Sequence, residues 1–140
     1  MEKKLKFEIP GKIKGKQRPR FGNGVVYTSK DTSSYESWIK SCYLQHAKRI
    51  KGNDERPLKV TIEAVFPIPK SYTKKQRLEI KYPKRKIDID NIEKCVLDAL
   101  NGIAYKDDCQ VVELAGFKKF GLDEKIIVTI EYLEGIWRKN

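Results

Sequence analysis

Apolar and polar positions alternate along this chain with a period that changes from element to element. Leu5, Phe7 and Ile9 interleave with Lys4, Lys6 and Glu8, the period-two pattern of a strand with one buried face, and Pro10-Gly11 closes it. Leu58, Val60, Ile62, Ala64 and Phe66 repeat that pattern against Lys59, Thr61 and Glu63 until Pro67 and Pro69 end it. Between these runs Tyr35, Trp38/Ile39, Cys42 and Ala47 recur at helical spacing. They predict a helix capped by Thr32, Ser33 or Ser34 and running to about Ile50, where Lys51-Gly52-Asn53 stops it. The charged, weakly periodic stretch 70–80 predicts a short polar helix capped by Ser71 or Thr73. Ile87 and Ile89 then alternate with Asp88 and Asp90 before Ile92, Val96, Ala99, Leu100 and Ile103 take up helical spacing. A short extended piece is therefore expected to run into a helix that ends at a left-handed Gly102. Two β-branched and aromatic runs, 110–120 and 125–132, flank Gly121-Leu122-Asp123-Glu124 and read as a hairpin. This order, free of repeats and linkers, predicts one α+β domain over 1–140, with helices packed on a mixed or antiparallel sheet.

Charge narrows the partners. The chain of 140 residues carries 30 Lys+Arg against 19 Asp+Glu, a net +11 that attracts polyanions, and nucleic acid is the first to consider. The excess is concentrated. Lys12, Lys14, Lys16, Arg18 and Arg20 precede Gly22 and Gly24 in an exposed basic loop or ribbon, and Lys84-Arg85-Lys86 forms a second cluster. Lys16, Arg18, Arg20, Lys84, Arg85 and Lys86 are candidate phosphate contacts. Phe21 and Tyr27 in the ribbon read as packing residues rather than wedges between bases. No segment approaches the roughly 18 apolar residues of a spanning helix and no signal-peptide pattern opens the chain, so a cytoplasmic, DNA-associated protein is expected, with no membrane partner. Cys42, Cys95 and Cys109 are odd in number and far apart, and His46 is the single histidine, which argues against a zinc or disulfide framework and against a histidine-based triad. Cys42 and Cys95 fall in helical apolar patterns and are expected in the core.

The acids carry the candidate chemistry. In an extended piece Asp88 and Asp90 would share a face, with Cα atoms about 6–7 Å apart, while Ile87 and Ile89 turn to the core. A second pair, Asp107-Asp108, follows the helix. Clustered carboxylates repel a DNA backbone unless a cation neutralises them, and Mg²⁺, with Mn²⁺ as its substitute, prefers carboxylate and water oxygens. Such an ion activates water and stabilises the leaving 3′ oxygen of an in-line displacement. Asp90, Lys94 and Asp98 lie at i, i+4 and i+8, so Lys94 accompanies the acids, as an electrostatic stabiliser of the phosphate or as a base; the electrostatic role is favoured. Each part also has a plain structural reading: Asp90 and Glu93 as a capping box, Lys94 paired with Asp98, Asp107-Asp108 as a polar turn. Their combination in a basic chain favours function.

From Ile87-Asp88-Ile89-Asp90-Asn91-Ile92-Glu93-Lys94 through Asp98-Ala99-Leu100-Asn101-Gly102 to Asp107-Asp108-Cys109-Gln110-Val111, the sequence resembles the RusA family of Holliday junction resolvases. The likeness is close over 86–112 and looser at Pro10-Gly11 and Lys16-Gln17-Arg18-Pro19-Arg20. It implies a homodimeric, Mg²⁺-dependent endodeoxyribonuclease that resolves four-way DNA junctions by paired nicks in recombination and repair. It also implies metal-binding acids at Asp88, Asp90 and Asp108, with Asp107 as the neighbouring acid, a catalytic Lys94, and supporting roles for Asn91 and Asp98. The chain departs from the family at Ile87, where proline often precedes the first acid. Two other classes stay open: a non-catalytic nucleic-acid-binding module, and a nuclease for flap, fork or RNA substrates.

Overall fold

The alternating runs form strands in the computed structural model, which describes residues 4–15, 20–22, 25–27, 30–49 and 54–134, with the backbone alone at 20–22, 25–27 and 31. In chain order the elements are β1 (Lys4–Pro10), β2 (Arg20–Gly22), β3 (Val25–Tyr27), α1 (Lys30–Leu44), β4 (Leu58–Phe66), α2 (Lys74–Glu79), α3 (Ile89–Leu100), a 3-10 turn (Asp108–Gln110), β5 (Val111–Phe120) and β6 (Lys125–Tyr132). Four strands form one mixed sheet in the order β1-β6-β4-β5: β6 runs antiparallel to β1 and β4, while β4 and β5 are parallel. The domain is α+β, as the element order implied.

Both long helices lie on one face of this sheet. Phe7, Val128, Ile62 and Gly116 are register partners across the four strands and so point to the same side. At one end of that row the Phe7 ring meets Tyr43 of α1 edge-on, with centroids 5.5 Å apart. At the other end Gly116 lies against Glu93 of α3. The stripe of α3, Ile92, Cys95, Val96, Ala99 and Leu100, is buried at the i, i+3, i+4, i+7, i+8 spacing of a core-facing helix. Each large side chain in it adds roughly 1.5–3 kcal/mol of burial. Cys42 and Cys95 are both in this core.

Four expectations need correction. Residues 110–120 and 125–132 do not make a hairpin, because β4 lies between β5 and β6 and pairs with both. The link between them crosses the end of β4 instead: the Gly121 amide donates to the Phe66 carbonyl at 3.0 Å, and a Cβ at Gly121 would collide with Val65. Glycine sits there for close passage rather than for a tight turn. Helix α1 begins at Lys30, so Thr32 is inside it and buried, on the same face as Tyr35, Ile39 and Cys42, while Ser33 and Ser34 are exposed helical residues; none of the three caps it. It ends at Leu44 rather than near Ile50, and the stop signal at 51–53 lies outside the described residues. The fourth correction concerns Asp88 and Asp90 and is taken up below. Thr73 does cap α2, accepting from the Gln76 amide at 3.1 Å while Gln76 Oε1 accepts from the Thr73 amide at 2.8 Å. Gly102 has the left-handed φ of 80° after α3.

The basic ribbon forms an antiparallel pair, β2 with β3. Lys16 and Arg18 lie outside the described residues, as do the side chains of Arg20, Phe21 and Tyr27. The chain enters the ribbon along the start of α3: a Cβ on Gly15 would stand 3.1 Å from Asn91 Cβ and 3.3 Å from Ile87 Cγ2.

Candidate active site

Helix α3 starts one residue after Asp88, so no strand carries the first acidic pair. Asp88 is the N-cap, with extended backbone at φ −72°, ψ 137°, and Asp90 sits in the first helical turn. The extended piece gives way because Ile89 and Ile92 both reach the core when the helix begins early, and Ile87 still packs against it. The capping box of Asp90 and Glu93 is likewise not formed, since the cap position belongs to Asp88. The Asp88 carboxylate makes no capping hydrogen bond. Instead Asp88 and Asp90, both exposed, line one cavity of about 590 Å³ together with Tyr82, Pro83, Ile89, Gly116, Phe117 and Lys118. Lys94 follows Asp90 by one turn, about 6 Å along the axis. It is exposed and forms no ion pair among the described residues, so the alternative reading of Lys94 as a partner of Asp98 is not what the structure shows. Asn91 is half-buried against Gly15.

Glu93 is an acid that sequence reasoning treated only as part of a cap. Its carboxylate lies where a Cβ at residue 116 would be, so the helix approaches β5 closely only because that position is glycine. Burial, and secondly the charge of Asp90, push the Glu93 carboxyl above the usual carboxylate range. An isolated glycine inside the β-run Leu114-Ala115-Gly116-Phe117 was the available signal.

The second acidic pair occupies the other end of α3. Asp107 caps the 3-10 turn, accepting from the Cys109 amide at 3.2 Å. Gln110, almost fully buried, holds that turn in place. Its Oε1 accepts from the amides of Lys106 at 2.8 Å and Asp107 at 3.0 Å, and its Nε2 donates to the carbonyls of Asp54 at 3.3 Å and Arg56 at 3.0 Å. The anchoring segment is itself braced by two hydrogen bonds from the Arg56 guanidinium to Asp54, at 2.9 and 2.7 Å, and one from the Arg56 amide at 3.3 Å, which hold the Asp54 carboxyl below its ordinary range. The Cys109 amide, and then Asp108, lower the Asp107 carboxyl; hydrogen bonding with Asp107, then burial and the charges of Asp107 and Asp98, raise Asp108. Tyr105 is buried beside these acids and donates its hydroxyl to the Leu97 carbonyl at 2.5 Å. Asp98 thus belongs to this end, roughly 12 Å along the axis from Asp90. Among the described residues, no three His, Cys, Asp or Glu side chains stand close enough to hold one metal ion. The structure groups Asp88 with Asp90 and Asp107 with Asp108, and does not gather the four into one cluster.

Comparison with known proteins places this arrangement. Residues 10–131 match the family described as "Endodeoxyribonuclease RusA". The chain belongs to the RusA endodeoxyribonuclease family. A RusA-type match over this span takes in both acidic pairs, Lys94 and strands β2 to β5 with nearly all of β6, but only the last residue of β1. The chain is also 32% identical over 138 residues, covering 90% of itself and 94% of the relative, to "Uncharacterized protein YqaN" of Bacillus subtilis (strain 168). Among the described residues of this RusA-family chain no helix is long and apolar enough to cross a membrane.

The second basic cluster of the RusA-family chain divides by role. Arg85 lies over the Phe66 ring at 4.9 Å and reaches Glu124 at 4.0 Å, while its carbonyl accepts from Lys118 Nζ at 2.9 Å. Its contacts tie the 82–88 segment to the sheet. Lys84 borders a shallow groove with Tyr72, Gln76, Glu79 and Ile80, and Lys86 is exposed without an ion pair among the described residues.

Proposed function

We propose that this chain is a Mg²⁺-dependent nuclease that resolves four-way DNA junctions by paired nicks, acting as a homodimer in recombination and repair. The observation that carries the reading is the pair of exposed carboxylates, Asp88 and Asp90, which share one cavity and leave the cap of α3 unmade, in a basic chain of an endodeoxyribonuclease family. The donor set fits a hard cation, since Mg²⁺ commonly takes one or two protein carboxylates and fills its remaining positions with water and phosphate oxygens. Asp88 and Asp90 would be its ligands; Asp108, the third acid by the family motif, stands apart from them at the other end of α3, where Asp107, committed to its turn, positions it. Bound there, the ion supplies an activated water and offsets charge on the scissile phosphate.

The chain's own residues do the rest. Lys94, one turn from Asp90, stabilises negative charge that develops on the phosphate oxygens. Lys16, Arg18, Arg20, Lys84 and Lys86 hold the flanking backbones, with Arg85 contributing chiefly as the brace of its segment. Asn91 and Asp98 support the helix that presents the acids. Two copies double the +11 charge, so affinity for converging strands falls steeply with salt.

The test is a cleavage panel in Mg²⁺ on a labelled immobile four-way junction, a duplex, a single strand and a fork, resolved on a denaturing gel. Symmetric nicks in the junction alone are expected, lost in Asp90→Asn while junction binding persists. Binding without nicks on any substrate would establish a non-catalytic module, and cutting without junction preference a different nuclease.

A further inference from the structure

The cavity lined by Asp88 and Asp90 also has aromatic residues in its lining. Tyr82 and Pro83, from the segment that leads into α3, line it together with Phe117 of β5. Tyr82 is 72% exposed and Phe117 44%, so neither ring belongs to the core. Pro83, by contrast, is buried, and the following residues are fastened by the Lys118–Arg85 hydrogen bond and by Arg85 over Phe66. Tyr82 is thus an exposed aromatic side chain on an anchored piece of backbone, beside two carboxylates.

We propose that Tyr82 is a base-stacking residue: it receives the base of a nucleotide adjoining the scissile linkage, with Phe117 lining the same site. The inference rests on the nuclease reading above and adds a source of substrate preference to it. A nucleotide presents an anionic phosphate and a flat π-face, and the cavity lining combines carboxylates suited to cation-bridged phosphate with aromatic residues suited to the base. Within a continuous duplex both faces of every base are covered by neighbours, and exposing one requires unstacking. A base that is already loosened, as where strands exchange at a branch, can reach Tyr82 at lower cost. The stack therefore favours branched or frayed DNA over regular duplex, independently of the charge that draws all DNA.

The experiment has two readouts. The first places 5-iodouracil at successive positions around the branch of a four-way junction, forms the complex in Ca²⁺ so that strands stay intact, irradiates it and maps the cross-linked peptide by mass spectrometry. Cross-linking to Tyr82 from one or two positions next to the nick is expected, with loss in Tyr82→Ala. The second is a cycle of cleavage rates. Tyr82→Ala, and an abasic nucleotide at the cross-linking position, should each lower kcat/KM about tenfold, within the range of one base–aromatic stack. The two combined should lower it no further, and Tyr82→Phe should stay near wild type. Cross-links confined to other peptides, or losses that multiply when variant and abasic site are combined, would overturn the proposal. Because Tyr82 is exposed, Tyr82→Ala should keep the wild-type melting temperature, and the wild-type cross-link map decides the matter even if it does not. A chain that binds the junction but never nicks it removes the nuclease reading while that map still decides the base site. A chain that binds none of the DNAs removes both.

Discussion

At the N-terminal end of α3, Asp88 and Asp90 turn exposed carboxylates into a cavity, whereas at its C-terminal end Asp107 and Asp108 sit on a turn whose polar groups bond to one another. The residue types are the same, with one residue between the first two acids and none between the second two. The difference lies in the backbone donors within reach. Asp107 uses its carboxylate on the Cys109 amide, and buried Gln110 fixes the surrounding loop; Asp88 occupies a cap position but forgoes the cap bond, which elsewhere is worth about 0.5–2 kcal/mol. A carboxylate that declines a stabilising local bond and faces open space is available to a ligand, while one that accepts it shapes the chain.

That contrast breaks most visibly on the acids themselves. Asp88→Asn and Asp90→Asn should each lower junction cleavage by on the order of 10²–10³-fold with unchanged melting temperature, the loss typical of removing one preorganised electrostatic partner. Asp107→Ala should instead lower stability, seen in urea unfolding, with a smaller effect on rate. If Asp107→Ala halted cleavage without altering stability, the two ends would not differ as described. Next in size, Lys94→Ala should reduce the single-turnover rate by about 10²-fold while the junction Kd changes little, as expected for an interaction made mainly in the transition state. Equal losses in rate and affinity would reduce Lys94 to a general phosphate contact.

Smaller effects sharpen the picture around Glu93. Gly116→Ala would push aside the end of a flexible side chain rather than backbone, so the fold should survive, but α3 and the cavity would shift and the rate should fall about tenfold, the scale seen when a supporting neighbour of a metal site is disturbed. A melting curve and a cleavage time course on the same preparation check both halves. The smallest effect is on pH dependence. A carboxyl whose pKa is raised by folding holds its proton more tightly in the folded state, so Glu93 makes stability fall as pH rises from about 4.3 through its folded value. Glu93→Gln should flatten that part of the stability profile, and an unchanged profile would show that the carboxylate escapes to solvent.

Much of this arrangement was legible locally. The period-two runs around Phe7 and Ile62 gave strands, the stripe from Ile92 to Leu100 gave the helix that bears the acids, and Thr73 marked the start of a short helix, because each depends on neighbours a few residues away. The motif from Asp88 to Gln110 was specific enough to point to the RusA family, which the match over 10–131 shows. Other features were illegible for a common reason. Gly121 looks like a hairpin glycine until β4 is seen beneath it, and Gln110 like any polar residue until four backbone groups converge on it.

The sequence by itself determined most of the strands and helices, the basic charge and which acids the chain carries, since propensity, periodicity and composition are properties of short stretches or of the whole count. The tertiary structure alone decided which strands are neighbours, that Asp88 caps α3 without bonding it, that Glu93 rests on Gly116, and that the acids divide between the two ends of the helix. Those outcomes depend on contacts between residues far apart in the chain, where the free energy of packing selects among arrangements that local pattern leaves equivalent.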